Sequence, residues 1–184
     1  VVISMDTYVE GVHFLNFKNP DLVIKKIVRS SISDLYCKGV APKFIFIGAS
    51  GNNNSFSKKN LNLISKGLKE EQKKYGIKLS GGDTTKSKKL TFTITSLGYS
   101  KKIVERNKCK DNDDIYVTGN IGDSYLGLQI LKKKIFLNKR KNDYFTKKYY
   151  LPDLPILASS KLINLATSSI DISDGLFGDL SKLI

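Results

Sequence analysis

Residues 90–100 read LTFTITSLGYS, an alternation of apolar and hydroxyl side chains held over the whole segment. Successive side chains of an extended strand point to opposite faces, so this pattern suits a strand with one face on a core. A chain that carries it must also supply a sheet and something to cover that sheet. The preceding residues do so. Residues 1–5 read as a strand running into Asp6, and VEGVHF as a turn followed by a short extended piece. Pro20 and Asp21 suit a helical first turn, after which Val23, Ile27, Ser31 and Leu35 share one face, with Asp34 near the helix end and Gly39 as its stop. KFIFIGAS is a buried strand, the asparagines at 52–54 a loop, and 57–75 a helix stopped by Gly76. IKLSGGD is then a short strand ahead of LTFTITSLGYS. The order strand, helix, strand, helix, strand, strand predicts a compact α/β (α+β) layer arrangement.

The polar run ERNKCKDNDD breaks this rhythm and places a domain boundary near residue 110, giving units 1–110 and 111–184. Beyond it, DIYVTG reads as an apolar strand, and GNIGDS leads into a helix carrying Leu126, Ile130 and Leu131. The lysine-rich stretch up to Lys148 reads as a solvated connection, and Pro152 and Pro155 bracket the start of a helix over 154–166. SSIDISDGLFGDLSKLI predicts a short strand, an acidic turn and a final amphipathic helix reaching Ile184. Val1 begins within an apolar run without an initiator Met and Ile184 ends within a helical pattern, so both ends read as those of a fragment.

Composition removes several classes of function. At 40% hydrophobic residues the chain has the content of a folded globular protein. It holds no apolar run long enough for a membrane span and no secretory leader pattern, so the expected location is cytoplasmic, with no membrane partner. Cys37 and Cys109 lie far apart and in no metal or redox spacing. The net charge of +14 raises the question of nucleic acid, but the basic residues are lysines spread along the chain, with only Arg29, Arg106 and Arg140 as arginines. No nucleic-acid partner is expected, and a basic module of that kind ranks behind an ATP-using enzyme.

Against this basic background the acids are scarce, and several sit among small residues: Asp6, Asp34, Asp83, Asp123, and the pair Asp171 and Asp174. A carboxylate beside Gly, Ser or Thr suits a site for Mg²⁺ and nucleotide phosphates, and equally suits a turn or helix cap. In GGDTT, Gly81 and Gly82 remove side chains where backbone can approach phosphate, and Asp83 offers oxygen ligands. Neither GxxxxGK[ST] nor GxGxxG occurs, so nucleotide binding here would rest on metal bridges more than on one phosphate loop. In DISDG, Asp171 and Asp174 flank Ser173 at a turn into a helix, where free backbone N–H groups could face an anion if Mg²⁺ intervenes. As an alternative, Asp174 is simply the helix cap. His13, the only histidine, follows a glycine-containing turn, and Arg106 has the planar fork suited to phosphate.

MDTYVEGVHF, SSISDLYCKGVAP, YGIKLSGGDTT, DDIYVTGNIGDSYLGL and IDISDGLFGDL, in this order and spacing, closely resemble the thiamine-monophosphate kinase family. That family belongs to a superfamily with aminoimidazole-ribonucleotide synthetase, selenophosphate synthetase and the hydrogenase maturation dehydratase. The resemblance implies an aminoimidazole-ribonucleotide synthetase-like N-terminal sheet-and-helix domain, followed by the start of a second α/β domain. It implies Mg²⁺-dependent transfer of the ATP γ-phosphoryl group to thiamine monophosphate, with several Mg²⁺ ions and no protein nucleophile. Carried over by motif, Asp6, Asp34, Asp83, Asp171 and Asp174 are expected as metal ligands, with Ser4 and Met5 beside Asp6, Met5 through backbone oxygen alone. Gly82, Arg106 and Ser173 are expected at ATP, and His13 at the substrate. The resemblance also implies a homodimer joined through the N-terminal sheets. The family's GDDAA-type segment ahead of the first strand, and a Gly-Gly-Glu-Asp-Tyr-like segment after Ile184, lie outside these residues, so 1–184 alone are expected to be inactive. The alternative within the same superfamily is another ATP-dependent enzyme.

Overall fold

The computed structural model describes residues 1–183, which fall into two compact units: Val1–Leu35 with Pro42–Tyr99, and Tyr36–Ala41 with residues 100–183. Ile184, the end of the expected final helix, lies outside the described residues.

In the first unit β1 (Val2–Val9), β2 (Pro42–Gly51), β3 (Lys78–Lys86) and β4 (Thr91–Gly98) form a four-stranded sheet in the order β1-β4-β2-β3. β4 is antiparallel to both its neighbours, while β2 and β3 are parallel and connected through helix α2 (Lys58–Tyr75), the crossover that parallel pairing requires. Burial along β4 follows the sequence alternation: Phe92, Ile94 and Ser96 are buried, and Thr91, Thr93 and Thr95 are half-buried. Register extends that buried face onto β1, with Tyr8 opposite Phe92, Asp6 opposite Ile94 and Ser4 opposite Ser96.

Helix α1 (Pro20–Tyr36) buries Val23, Ile24, Ile27, Val28, Ile32 and Leu35 completely, at the three- and four-residue spacing of one helical face. Each such side chain contributes about 1.5–3 kcal/mol of burial free energy. The polar positions on this face are matched to each other, since the Ser31 and Ser96 hydroxyls pair at 2.8 Å. Helix α2 starts at Ser57, whose side chain accepts from the Asn60 amide, and stops at Gly76, whose φ of 63° suits glycine. Arg29 of α1 and Glu71 of α2 form a bidentate pair at 2.8 and 2.9 Å, with only 5% and 2% of each residue exposed.

The double glycine lies within the expected strand. Gly81, Gly82 and Asp83 lie inside β3, opposite Phe46, Ile47 and Gly48. A Cβ at Gly82 would stand 2.2 Å from the Ile47 carbonyl oxygen, so the close pairing of two backbones excludes any side chain there. Gly82→Ala is therefore expected to destabilise the first unit by about 1–3 kcal/mol. A lowered denaturant midpoint checks this, and an unchanged midpoint would mean that β3 yields at no cost.

The second unit contains α3 (Asp123–Leu131), α4 (Lys139–Tyr150), α5 (Ile156–Leu165) and the short α6 (Leu176–Leu180). Tyr36–Ala41 are tied into it: Ser159 Oγ donates to the Tyr36 carbonyl at 2.6 Å, and Ser169 Oγ to that of Cys37. The expected final helix stops at Leu180, with residues 181–183 in turns, and three further expectations fail in this unit. The lysine-rich stretch contains a helix, because Asn138 caps it by accepting from the Lys141 amide at 3.0 Å and Tyr149 and Tyr150 bury its far end. DIYVTG and the segment before DISDG form no strand among the described residues. A strand persists only with a hydrogen-bonding partner, and the described part of this unit offers none. No helix of the described residues is long and apolar enough to cross a membrane.

Candidate functional site

The alternation of β1 places Ser4, Asp6 and Tyr8 on the face covered by α1, and the last turn of α1 brings Asp34 to the same region. Ser4 Oγ donates to Asp34 Oδ2, and the Tyr8 hydroxyl donates to Asp6 Oδ2 at 3.3 Å. Burial raises the Tyr8 pKa well above the ordinary phenol value; a Ser30 hydrogen bond opposes this, and the charges of Asp6 and Asp34 add to it. The phenol thus stays protonated at neutral pH and serves as a donor. Because both carboxylates act on one phenol, Asp6 and Asp34 share a neighbourhood. Two carboxylates and a serine hydroxyl are hard oxygen donors that fit Mg²⁺. Met5 points the other way, onto the exposed face of β1, so its side chain is outside this set.

Asp6 and Asp34 sit on a strand and a helix, in agreement with the strand expected to run into Asp6 and the helix expected to end near Asp34. Such elements hold carboxylates more rigidly than a loop does. Asp83 is also on a strand, but at the far edge of the sheet. The register row Thr7, Thr93, Gly48, Asp83 crosses three strand spacings, roughly 14 Å at about 4.8 Å each. Asp83 is exposed, and its Oδ1 accepts from the Thr84 amide at 2.8 Å.

Beside Asp83 a cavity of about 690 Å³ opens against α2 and the sheet. Ile24, Phe56, Ile64, Leu68 and Phe92 contribute apolar walls, and Gly82, Asp83 and Thr84 add backbone and oxygen donors. An apolar hollow with a few convergent polar groups, of this size, is the usual form of a small-molecule site. Its polar side coincides with the GGDTT segment.

His13 sits in the turn after β1, where its Nδ1 accepts from the Val9 amide at 3.0 Å. A nitrogen that accepts carries no proton, so the neutral ring bears its hydrogen on Nε2 and can offer it outward. The edge-to-face contact with Tyr8, at 6.0 Å between ring centroids, helps fix the ring beside the Asp6 cluster.

In the second unit Asp171, Ser173 and Asp174 lie on an irregular segment leading to α6. At Ser173 and Asp174 the turn does not present free N–H groups to an anion. Both relevant amides are taken by Asp179, whose Oδ2 accepts from Ser173 at 2.7 Å and from Asp174 at 2.8 Å. Burial alone would raise the Asp179 pKa, but Lys182 and these two amides outweigh it and hold the carboxyl ionised. Asp174 is not the helix cap either. Gly175 occupies that position, and Asp174 Oδ2 instead accepts from Lys182 at 2.6 Å. Ser168 Oγ donates to the carbonyls of Glu105 and Arg106 at 3.0 and 2.6 Å, which ties the Arg106 segment to the chain just ahead of Asp171. Asp123, in contrast, has a structural role, accepting from the Tyr144 hydroxyl at 2.8 Å between α3 and α4. Sequence reading missed Asp179; its only signal is an acid at an inward-facing position of an otherwise apolar turn.

Among the described residues no three His, Cys, Asp or Glu side chains stand together as a metal-holding group. The acids come instead as the Asp6–Asp34 pair, Asp83 on the opposite edge, and the Asp171–Asp174 segment of the second unit.

Residues 1–100 match the family described as AIR synthase related protein, N-terminal domain. Over 192 residues the chain is 36% identical to thiamine-monophosphate kinase of Buchnera aphidicola subsp. Schizaphis graminum, covering 100% of this chain and 57% of that protein. The crystal structure of thiamine monophosphate kinase from Aquifex aeolicus superposes with a TM-score of 0.91 at 26% identity, covering 98% of this chain and 62% of that one. The structure of AaThiL complexed with AMPPCP and TMP superposes with a TM-score of 0.92 at 26% identity, covering 98% and 58% respectively. The chain thus spans a little under two thirds of the length of the relatives it matches.

Proposed function

Because the chain belongs to the AIR synthase related protein family, we propose that the complete protein containing it is a thiamine-monophosphate kinase, transferring the ATP γ-phosphoryl group to thiamine monophosphate. The observation that carries this reading is the presence, in one unit, of both the Ser4, Asp6 and Asp34 oxygen set and, toward the other edge of the sheet, the cavity bordered by Gly82 and Asp83. The similarity to kinases along the entire chain supports it.

In this reading Asp6, Asp34, Asp83, Asp171 and Asp174 would hold Mg²⁺, with Ser4 and the Met5 backbone beside Asp6. When bound, Mg²⁺ supplies the positive charge that offsets the repulsion between the phosphates of ATP and those of the acceptor. The cavity by Gly82 takes the base of ATP against its apolar walls. Ser173 acts through its hydroxyl, because its amide already belongs to Asp179. Arg106 offers a bidentate fork to phosphate, and His13 offers Nε2–H to the substrate. An acceptor phosphate oxygen is already ionised, so it attacks the γ-phosphorus without a general base. The new O–P bond forms as the β–γ bridging bond breaks, and positioning supplies much of the rate.

The separation of Asp6 from Asp83 supports a homodimer. Both lie on edge strands of one sheet, and β1 also exposes Ile3 and Met5 on its uncovered face. Two copies joined edge to edge through β1 and β3 would bring the strand of Asp6 in one copy next to the strand of Asp83 in the other, closing the sheet edges that otherwise invite aggregation. The use of ATP fits a cytoplasmic location.

The test is direct: the complete protein, given ATP, Mg²⁺ and thiamine monophosphate, is expected to form thiamine diphosphate and ADP. Absence of thiamine diphosphate with both substrates saturating would overturn the reading.

A further inference from the structure

We propose that Asp179 is a positioning residue for the segment that carries Asp171, Ser173 and Asp174, an assignment that rests on the kinase reading above. Its side chain is 1% exposed, whereas Asp174 beside it is exposed to solvent. One carboxylate oxygen accepts from two successive amides, Ser173 and Asp174, at 2.7 and 2.8 Å, and the other accepts from Lys182 Nζ at 2.8 Å. The Asp179 amide returns a bond of 2.9 Å to the Gly175 carbonyl. The segment from 173 to 179 is thereby closed on itself through both side chain and backbone.

α6 spans five residues, too few to hold a turn in place by helical hydrogen bonding. The carboxylate does this instead. With both oxygens satisfied, it fixes the backbone of Ser173 and Asp174, and so the direction of the hydroxyl and carboxylate that they present. It also removes their amides from competition for an anion, leaving side chains to meet phosphate and metal. Asn cannot substitute. Only one of its ends accepts, so its NH₂ group would face either the two amides or the Lys182 ammonium.

The experiment uses the complete protein and its Asp179→Asn variant, with two readouts. Amide hydrogen exchange in the absence of ligands is expected to find Ser173 and Asp174 protected, and released by the substitution. Steady-state kinetics is expected to find kcat/KM for Mg·ATP lowered by about 10–100-fold, with the Mg²⁺ midpoint raised and KM for thiamine monophosphate within about twofold. Unprotected amides in the unmodified protein would overturn the clamp whether or not the protein is a kinase. Amides released without any change in Mg²⁺ midpoint or Mg·ATP kinetics would overturn the positioning role. Should Asp179→Asn fail to fold, exchange in the unmodified protein still decides whether the clamp exists. Failure of the kinase reading alone would leave those two amides protected while no thiamine diphosphate forms.

Discussion

Asp83→Asn is expected to lower Mg²⁺-dependent turnover of the complete protein on the order of 100-fold, the effect of deleting one strong electrostatic contact to the transferring group. Folding should hardly change. Asp83 is exposed on an edge strand, and its hydrogen bond within the chain runs from the Thr84 amide to Oδ1, an acceptor that Asn keeps. A surface substitution that preserves its contact stays within about 0.5 kcal/mol. Activity and stability thus separate, and equal turnover in the variant would remove Asp83 from the site.

The same residue tests the dimer. Asp6→Asn alone should be as defective as Asp83→Asn alone, because each removes one carboxylate of the proposed Mg²⁺ set. If the set forms across two copies, a mixture of the two variants rebuilds it. In a mixed dimer one site receives both substitutions and the other neither, so random assortment of copies restores about a quarter of the original activity. A mixture no more active than either variant would place both carboxylates in a single-chain site, against their separation across the sheet.

Where the chemistry is periodic, the sequence was a sound guide to the first unit. LTFTITSLGYS became β4 with its Thr face outward, the Val23, Ile27, Ser31, Leu35 face of α1 was buried, and Gly76 ended α2. The sequence placed Asp6, Asp34 and Asp83 at or near regular elements, but not which of them meet. Asp6 shares a strand face with Ser4 and Tyr8, and its neighbours in space, α1 and Asp34, lie far from it in sequence. Gly82 reads equally as a phosphate contact and as a point of close strand approach, and only the Ile47 carbonyl shows the steric demand. Asp179 was invisible because its role depends on a turn that the residue itself stabilises. α4 was obscured by lysines that crowd its exposed face, while the tyrosines that bury its end lie at its last two positions.

The first unit also depends on one pair that has no part in the proposed chemistry. Glu71→Ala is expected to destabilise it by about 3–5 kcal/mol, the cost of leaving a buried charge without its partner. Arg29 is 5% exposed in the intact protein, its guanidinium 5.6 Å from the Tyr75 ring centre, and Ala offers no carboxylate in place of Glu71. The Tyr75 ring offsets only a small part of that cost. Replacing both partners, as Arg29→Met with Glu71→Leu, removes both desolvated charges and should recover most of the loss, since similar apolar volume often matches a buried pair. The double variant must therefore unfold at higher denaturant than Glu71→Leu alone, a non-additivity expected of residues in contact. A single-variant loss below about 1 kcal/mol would mean that water reaches Arg29 when Glu71 is removed, and that hydrophobic packing between α1 and α2 carries the junction without the pair.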